Sequence, residues 1–255
     1  MVDASREPGR ETDPKAVCLV SGGMDSAVTL AEAGARGFET YALSFDYGQR
    51  ARAELDCARA VARSLRASDH RIVRLDLSAL GGSALTDDIE VPKGRTPAEI
   101  SSGVPPTYVP ARNTVFLSVA LGWAETLGAR DLFLGVNAID YSGYPDCRPE
   151  FLAAFEALAS TATAQGAESG ARFRVQAPLL ELSKREIVLR AEELGIDLGL
   201  TLSCYDPIET DPIESGPISC GACDACLLRL RGFREAQRSD PLPYADEPAT
   251  SPRRH

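Results

Sequence analysis

Two clusters in this chain have residue types and spacing that can do chemistry. The first is Cys204-x15-Cys220-x2-Cys223-x2-Cys226. Thiolates this close in sequence can converge on one tetrahedral ion, about 2.3 Å from each sulfur for zinc. Four sulfurs fill that coordination sphere and leave no position for water. The spacing therefore predicts a structural zinc that pins the loop after Leu202 to a helix beginning near Asp224. An iron–sulfur cluster takes the same ligands and stays open at this point. Buried free cysteines are the plainer reading, but three thiols between Cys220 and Cys226, with Gly221 suited to a tight knuckle, argue against it.

The second cluster is Ser21-Gly22-Gly23-Met24-Asp25-Ser26, which follows the apolar run Ala16 to Val20 and leads into Ala27-Val28-Thr29-Leu30. A strand, a flexible turn and a helix in that order make an anion site. Glycines let the backbone approach an oxyanion, the first helical N–H groups point at it, and the Ser21 and Ser26 hydroxyls add donors. An ordinary strand-to-helix turn accounts for a Gly-Gly pair but not for six consecutive suitable residues. Neither the P-loop nor the dinucleotide pattern is present. Histidine chemistry has almost no material, since only His70 and His255 occur, so triads and most hydrolase mechanisms drop out.

The elements that must position these clusters are legible from periodicity. Ala16 to Val20, Thr40 to Phe45, Arg71 to Leu75, Leu132 to Val136 and Phe173 to Ala177 read as strands with nearly continuous apolar character, as buried parallel strands require. Between them, Leu55, Ala58, Ala62 and Leu65 share one helical face, and Phe116, Val119, Trp123 and Leu127 share another. Ser183 with Glu186 forms a capping box for a further helix ending near Gly195. The βαβα order predicts an α/β fold, a doubly wound parallel five-stranded sheet over residues 15–200, followed by a four-cysteine zinc subdomain over 201–238. Residues 78–110, rich in Gly and Pro, break the rhythm and read as a lid-like excursion near the carboxyl ends of the strands.

Residues 1–14 and 239–255 lack hydrophobic periodicity and read as disordered tails. Arg229, Arg231, Arg234 and Arg238 read as a solvated helix face. A net charge of -10 disfavours binding to a long nucleic acid. No apolar run spans a membrane, and residues 1–14 carry no signal-peptide core, so the expectation is a cytoplasmic protein.

Asp140 to Arg148 leaves the fourth predicted strand at the rim that also carries the Ser21 turn. Tyr141 and Tyr144 suit stacking on a flat ring, Asp140 and Asp146 suit pairing with ring N–H groups, and a turn closed by Gly143 and Pro145 is the plainer alternative. Cys147 lies in the same stretch, with no histidine nearby in sequence to activate it, and reads as a pocket wall.

Four more segments complete the pattern: Asp46 to Arg50, Val109 to Thr114, Gly135 to Arg148 and Ser203-Cys204-Tyr205. Together with the two clusters, they resemble the 7-cyano-7-deazaguanine synthase family over residues 16 to 235, and the Ser21 turn resembles the pyrophosphate loop of the ATP pyrophosphatase superfamily. That resemblance implies an adenine nucleotide alpha hydrolase-like fold and an ATP-dependent ligase of queuosine biosynthesis. The reaction would take 7-carboxy-7-deazaguanine and ammonia to the nitrile through adenylated acid and amide intermediates. It implies an ATP site made of Val20, Ser21, Gly22, Gly23, Met24, Asp25, Ser26, Ala27, Val28, Thr29 and Leu30 with Asp46 and Asn113. Ser21, Asp25, Ser26 and Arg112 would be catalytic, and Asp140, Tyr141, Tyr144, Asp146 and Arg148 would bind substrate. The four clustered cysteines would hold Zn²⁺, Mg²⁺ would accompany ATP with Asp25 as a ligand, and the enzyme would be a homodimer. A related ligase passing the adenylated acid to another amine is the alternative. Two departures stand out: a long stretch between Cys204 and Cys220, and Ala51 where relatives often carry histidine.

Overall fold

The computed structural model describes residues 13–137, 143–208 and 217–245. Five strands form one all-parallel sheet in the order β3-β2-β1-β4-β5. They are β1 Lys15–Leu19, β2 Glu39–Asp46, β3 Asp69–Arg74, β4 Asp131–Phe133 and β5 Arg174–Gln176. Val17 stands opposite Tyr41 on one side and Leu132 on the other. The strand order reverses between β1 and β4, where the connections leave in opposite directions and open a crevice beyond the carboxyl ends. The expected doubly wound sheet is present, with β4 and β5 each three residues long, shorter than their apolar runs.

Side chains alternate along β1. Val17 and Leu19 pack on one face with Leu43, Leu132 and Leu117, whereas Ala16, Cys18 and Val20 pack on the other with Ala27, Leu30 and Ala58. Both faces are covered, which is why the strand carries no polar alternation. Helices α1 Met24–Ala35 and α2 Ala53–Ser64 cover the second face. Between β3 and β4 come the short α3 Pro97–Ile100 and the long α4 Arg112–Leu127, and α5 Pro149–Ala162 and α6 Ala164–Ser169 precede β5. Helices α4 and α5 cover the first face. Chain order ends with α7 Lys184–Glu193 and α8 Asp224–Glu235, which pack on each other.

The Ser183 capping box is formed in both directions, and Gly195 at φ 66° follows the end of α7. On α4 the buried face centres on Leu117, Ala120, Leu121 and Ala124 with Trp123, one position away from the face expected from Phe116 and Val119, which are partly buried. Trp123 is wide enough to reach the core from either side of that stripe.

Three expectations need correction. Arg229 does not belong to a solvated face: it is 2% exposed and bonded through Nε and Nη2 to both Asp240 oxygens, at 2.8 and 3.0 Å. Arg238 lies beyond the last residue of α8. Residues 239–245 are not loose, because Asp240 holds Arg229, the Tyr244 hydroxyl donates to Asp240 at 2.7 Å, and Ser219 N donates to Pro243 O. A buried guanidinium needs a partner, and Asp240 supplies it from a segment whose composition is polar.

The excursion after β3 does leave the sheet, and it is fastened to the cysteine knuckle. Ala84 and Val91 are buried against the cysteines, Gly94 N donates to Ala222 O, and Arg95 pairs with Asp224 at 2.7 Å.

Candidate functional site

The turn between β1 and α1 sits at the switch point. Ser26 Oγ donates to Gly23 O at 2.9 Å and accepts from Ser21 N at 3.2 Å, so the two serines close the turn on itself. The N-terminus of α1 has no side-chain cap, which leaves its first N–H groups directed at the crevice. Gly22 has φ +94°, and a Cβ there would lie 2.2 Å from the carbonyl oxygen of Glu54. Both conformation and contact exclude other residues. The turn is held from the opposite side by Leu202 N, which donates to Gly22 O at 2.9 Å.

Asp25 lies in the first turn of α1. Its Oδ2 receives Asn137 Nδ2 at 3.1 Å and pairs with the ammonium of Lys184. Its Oδ1 is buried without a hydrogen-bond partner. An orphaned carboxylate oxygen beside a phosphate-type turn fits a divalent cation.

One cavity joins Ser21, Gly23, Met24, Asp25 and Ser26 with Glu54, Arg112, Asn113, Tyr144 and Lys184. Arg112 follows Ala111, whose φ of +55° is costly for a residue with a side chain and redirects the chain into α4. The guanidinium lies 3.4 Å from the Tyr47 hydroxyl. Burial pushes the Tyr47 phenol up, an effect the Arg112 charge opposes. Burial also raises the Glu54 carboxyl, against the pull of Arg112, to about 8. Ala51 is buried and lines the cavity.

The structure does not bring every expected residue to this cavity. Val20 lines it, but Ala27, Val28, Thr29 and Leu30 are the buried interior of α1, and Gly22 acts through its backbone. Asp46 lies in a separate small depression with Gly48 and Arg74. Tyr144 lines the cavity, its hydroxyl 3.2 Å from Thr107 Oγ1. Asp146 is one layer behind, accepting from Asn113 N at 2.9 Å in the first turn of α4, and Arg148 is exposed at the head of α5. Asp140 and Tyr141 lie outside the described residues. Cys147 lines the cavity and accepts from Asn113 Nδ2 at 3.1 Å.

Sequence reasoning missed Lys184, Asn137, Glu54 and Arg229. For Lys184 a signal existed. A cation at the first position of a helix opposes the dipole, and the capping box places Lys184 there, so a nearby anion would offset that cost. Glu54 and Arg229 carry no such signal.

The four cysteines come together as expected. Their sulfurs all lie within 4.8 Å of one another, with Cys220 and Cys226 at 4.0 Å, against about 3.8 Å between vertices of a tetrahedral zinc site. Main-chain N–H groups point at the sulfurs, from Cys220 to Cys204 at 3.2 Å and from Cys223 to Cys220 at 3.3 Å. Four buried sulfurs with main-chain N–H groups aimed at them suit a bound cation.

Fold and site define a doubly wound α/β protein with a glycine-rich turn at the switch point and a four-cysteine centre that can hold a metal ion. Residues 15–237 match the family described as Queuosine biosynthesis protein QueC. A 7-cyano-7-deazaguanine synthase from Syntrophotalea carbinolica is 58% identical over 91% of this chain and 97% of its own length. One from Geotalea daltonii is 56% identical over 91% and 96%. An NH3-dependent NAD synthetase from Campylobacter jejuni is similar at 16% identity and a TM-score of 0.41, over 73% of this chain and 66% of that one. The chain belongs to the queuosine biosynthesis protein QueC family and is an enzyme. No helix among the described residues is long and apolar enough to cross a membrane.

Proposed function

We propose that this enzyme converts 7-carboxy-7-deazaguanine and ammonia to 7-cyano-7-deazaguanine at the expense of ATP, through the adenylated acid and the amide. The observation that carries this reading is the single cavity joining the Ser21–Ser26 turn to Arg112 and Tyr144. The turn and the α1 N-terminus bind the phosphates, and Arg112 stabilises charge that develops as pyrophosphate departs. Asp25 would hold Mg²⁺ through Oδ1 while Lys184 fixes Oδ2, and the ion supplies charge neutralisation on the phosphates. Tyr144 offers a face to the flat ring. Of the other residues expected to bind substrate, Asp140 and Tyr141 keep that role in this reading, whereas Asp146 acts by fixing Asn113 and the start of α4.

The metal on the four cysteines is read as zinc, and its role as structural. The active species is read as a cytoplasmic homodimer, with no nucleic acid among its partners. Mass spectrometry of products from purified protein, ATP, Mg²⁺, ammonium and the carboxylate tests the reaction. A mass corresponding to the nitrile is expected. Accumulation of an amide with another amine would favour the alternative ligase, and absence of any product would overturn the reading.

A further inference from the structure

Joining ammonia to an activated acid is a proton problem as well as a phosphate problem. Ammonium is the dominant form at neutral pH, and nitrogen must shed a proton as it bonds to carbon. Among the described residues no histidine is placed to take it: His70 is on β3, its Nε2 2.8 Å from Ser44 Oγ, and does not line the cavity. Asp25 Oδ2 is committed to Lys184 and Asn137. Tyr47 receives Arg112, and Cys147 receives Asn113.

Glu54 differs from all of these. It lies in the first turn of α2 and lines the same cavity, yet its carboxyl makes no hydrogen bond or ion pair with another described residue. Its position is fixed rather than incidental, because its own carbonyl is the atom that abuts Gly22 of the phosphate turn. Arg112 is near enough to act on its charge. Glu54 thus lines the cavity that the phosphate turn and Arg112 share, where the activated carbonyl would be.

We propose that Glu54 is the catalytic base of the amide-forming step, accepting a proton from the attacking nitrogen. Ammonium gives up a first proton to water and attacks as ammonia; the C–N bond forms, the C–O bond to AMP breaks with its electron pair leaving on AMP, and the second proton passes from nitrogen to Glu54 and then to water. Burial brings this carboxyl toward neutrality, where a base can both accept and release a proton. The inference rests on the proposed reaction. It separates Glu54 from adenylation, a step in which no nitrogen proton moves.

The test compares two assays on the full-length, metal-loaded protein, wild type and Glu54→Gln. Acid-dependent exchange of labelled pyrophosphate into ATP reads adenylation, and ammonium-dependent amide formation reads the proposed step. Glu54→Gln should keep exchange within about threefold and lose amide formation by about 10²-fold or more. Glu54→Asp, which keeps a shorter base, should fall between the two in amide formation with exchange intact. Near wild-type amide formation in Glu54→Gln overturns the inference. Equal loss of both activities in Glu54→Gln and Glu54→Asp, with cysteine-bound metal retained, also overturns it and makes Glu54 a substrate reader. Absence of acid-dependent exchange in the wild type would instead sink the reaction on which the inference depends.

Discussion

Gly22 and Glu54 touch across the phosphate turn and fail in different ways when changed. Gly22→Val places a branched side chain 2.2 Å from the Glu54 carbonyl at a φ of +94°, so the turn must move. Calorimetry with a non-hydrolysable ATP analogue should show a loss of at least about tenfold in affinity, and unchanged binding would remove the turn from the mechanism. Desolvation shifts the Glu54 carboxyl in the opposite sense to a typical ion-paired carboxyl. Its folded value of about 8 stands above its ordinary 4.5, so the folded state holds the proton more tightly. The stability it contributes is fully present below pH 4.5 and is lost as pH rises through about 8. Melting temperatures of wild type should therefore decline across that window relative to Glu54→Gln, and parallel curves would contradict the burial of this group.

Tyr144 and Asp146 are two residues apart and should separate in the same way. Tyr144→Ala removes a cavity wall and should raise KM for the carboxylate substrate, by about tenfold if a stacking contact of roughly 1–3 kcal/mol is lost. Asp146→Asn weakens an acceptor at the start of α4 and should lower stability by about 0.5–2 kcal/mol with less effect on KM. Equal KM effects would show that Asp146 reaches the substrate.

Among the elements, α8 has the least expected role. It opens at the knuckle with Cys223 as N-cap and Cys226 in its first turns, and one turn later presents Arg229 to Asp240, Thr201 and the carbonyl of Leu198. The loop from Thr201 to Cys204 that runs between these contacts is the one whose Leu202 N holds Gly22. Removing one partner of a buried ion pair costs about 3–5 kcal/mol, so Asp240→Ala should be strongly destabilising to thermal unfolding. A melting temperature within a degree or two of wild type would show that residues 239–245 do not hold α8.

At the scale of the whole molecule, the cysteine centre, the excursion of residues 78–110 and the phosphate turn are mechanically one assembly. Arg95 and Gly94 tie the excursion to Asp224 and Ala222 beside the cysteines, and Leu202 ties the loop before Cys204 to Gly22. Cys223→Ser should therefore lower metal content, melting temperature and ATP affinity together. Retention of full ATP affinity with the metal lost would show that the phosphate turn stands without the knuckle.

Sequence alone determined the elements and their order, because buried parallel strands must be apolar on both faces and helices must show one apolar face. It also determined the two local clusters, since Ser21 to Ser26 and Cys220, Cys223 and Cys226 act through neighbours a few residues away, with Cys204 joining from sixteen positions before Cys220. The Ser183 capping box belongs with these for the same reason. What only tertiary structure decided is every partnership spanning long stretches of chain. Lys184 reaches Asp25 from 159 positions away, Arg95 reaches Asp224 from 129, and Asn137 meets Asp25 from 112. Glu54 looks like any first-turn acid on a solvated helix until α2 is laid against the phosphate turn. Arg229 looks like one of a charged run until Asp240 returns over it. Periodicity reports which face of an element is buried, and it cannot report what a buried charge will meet there.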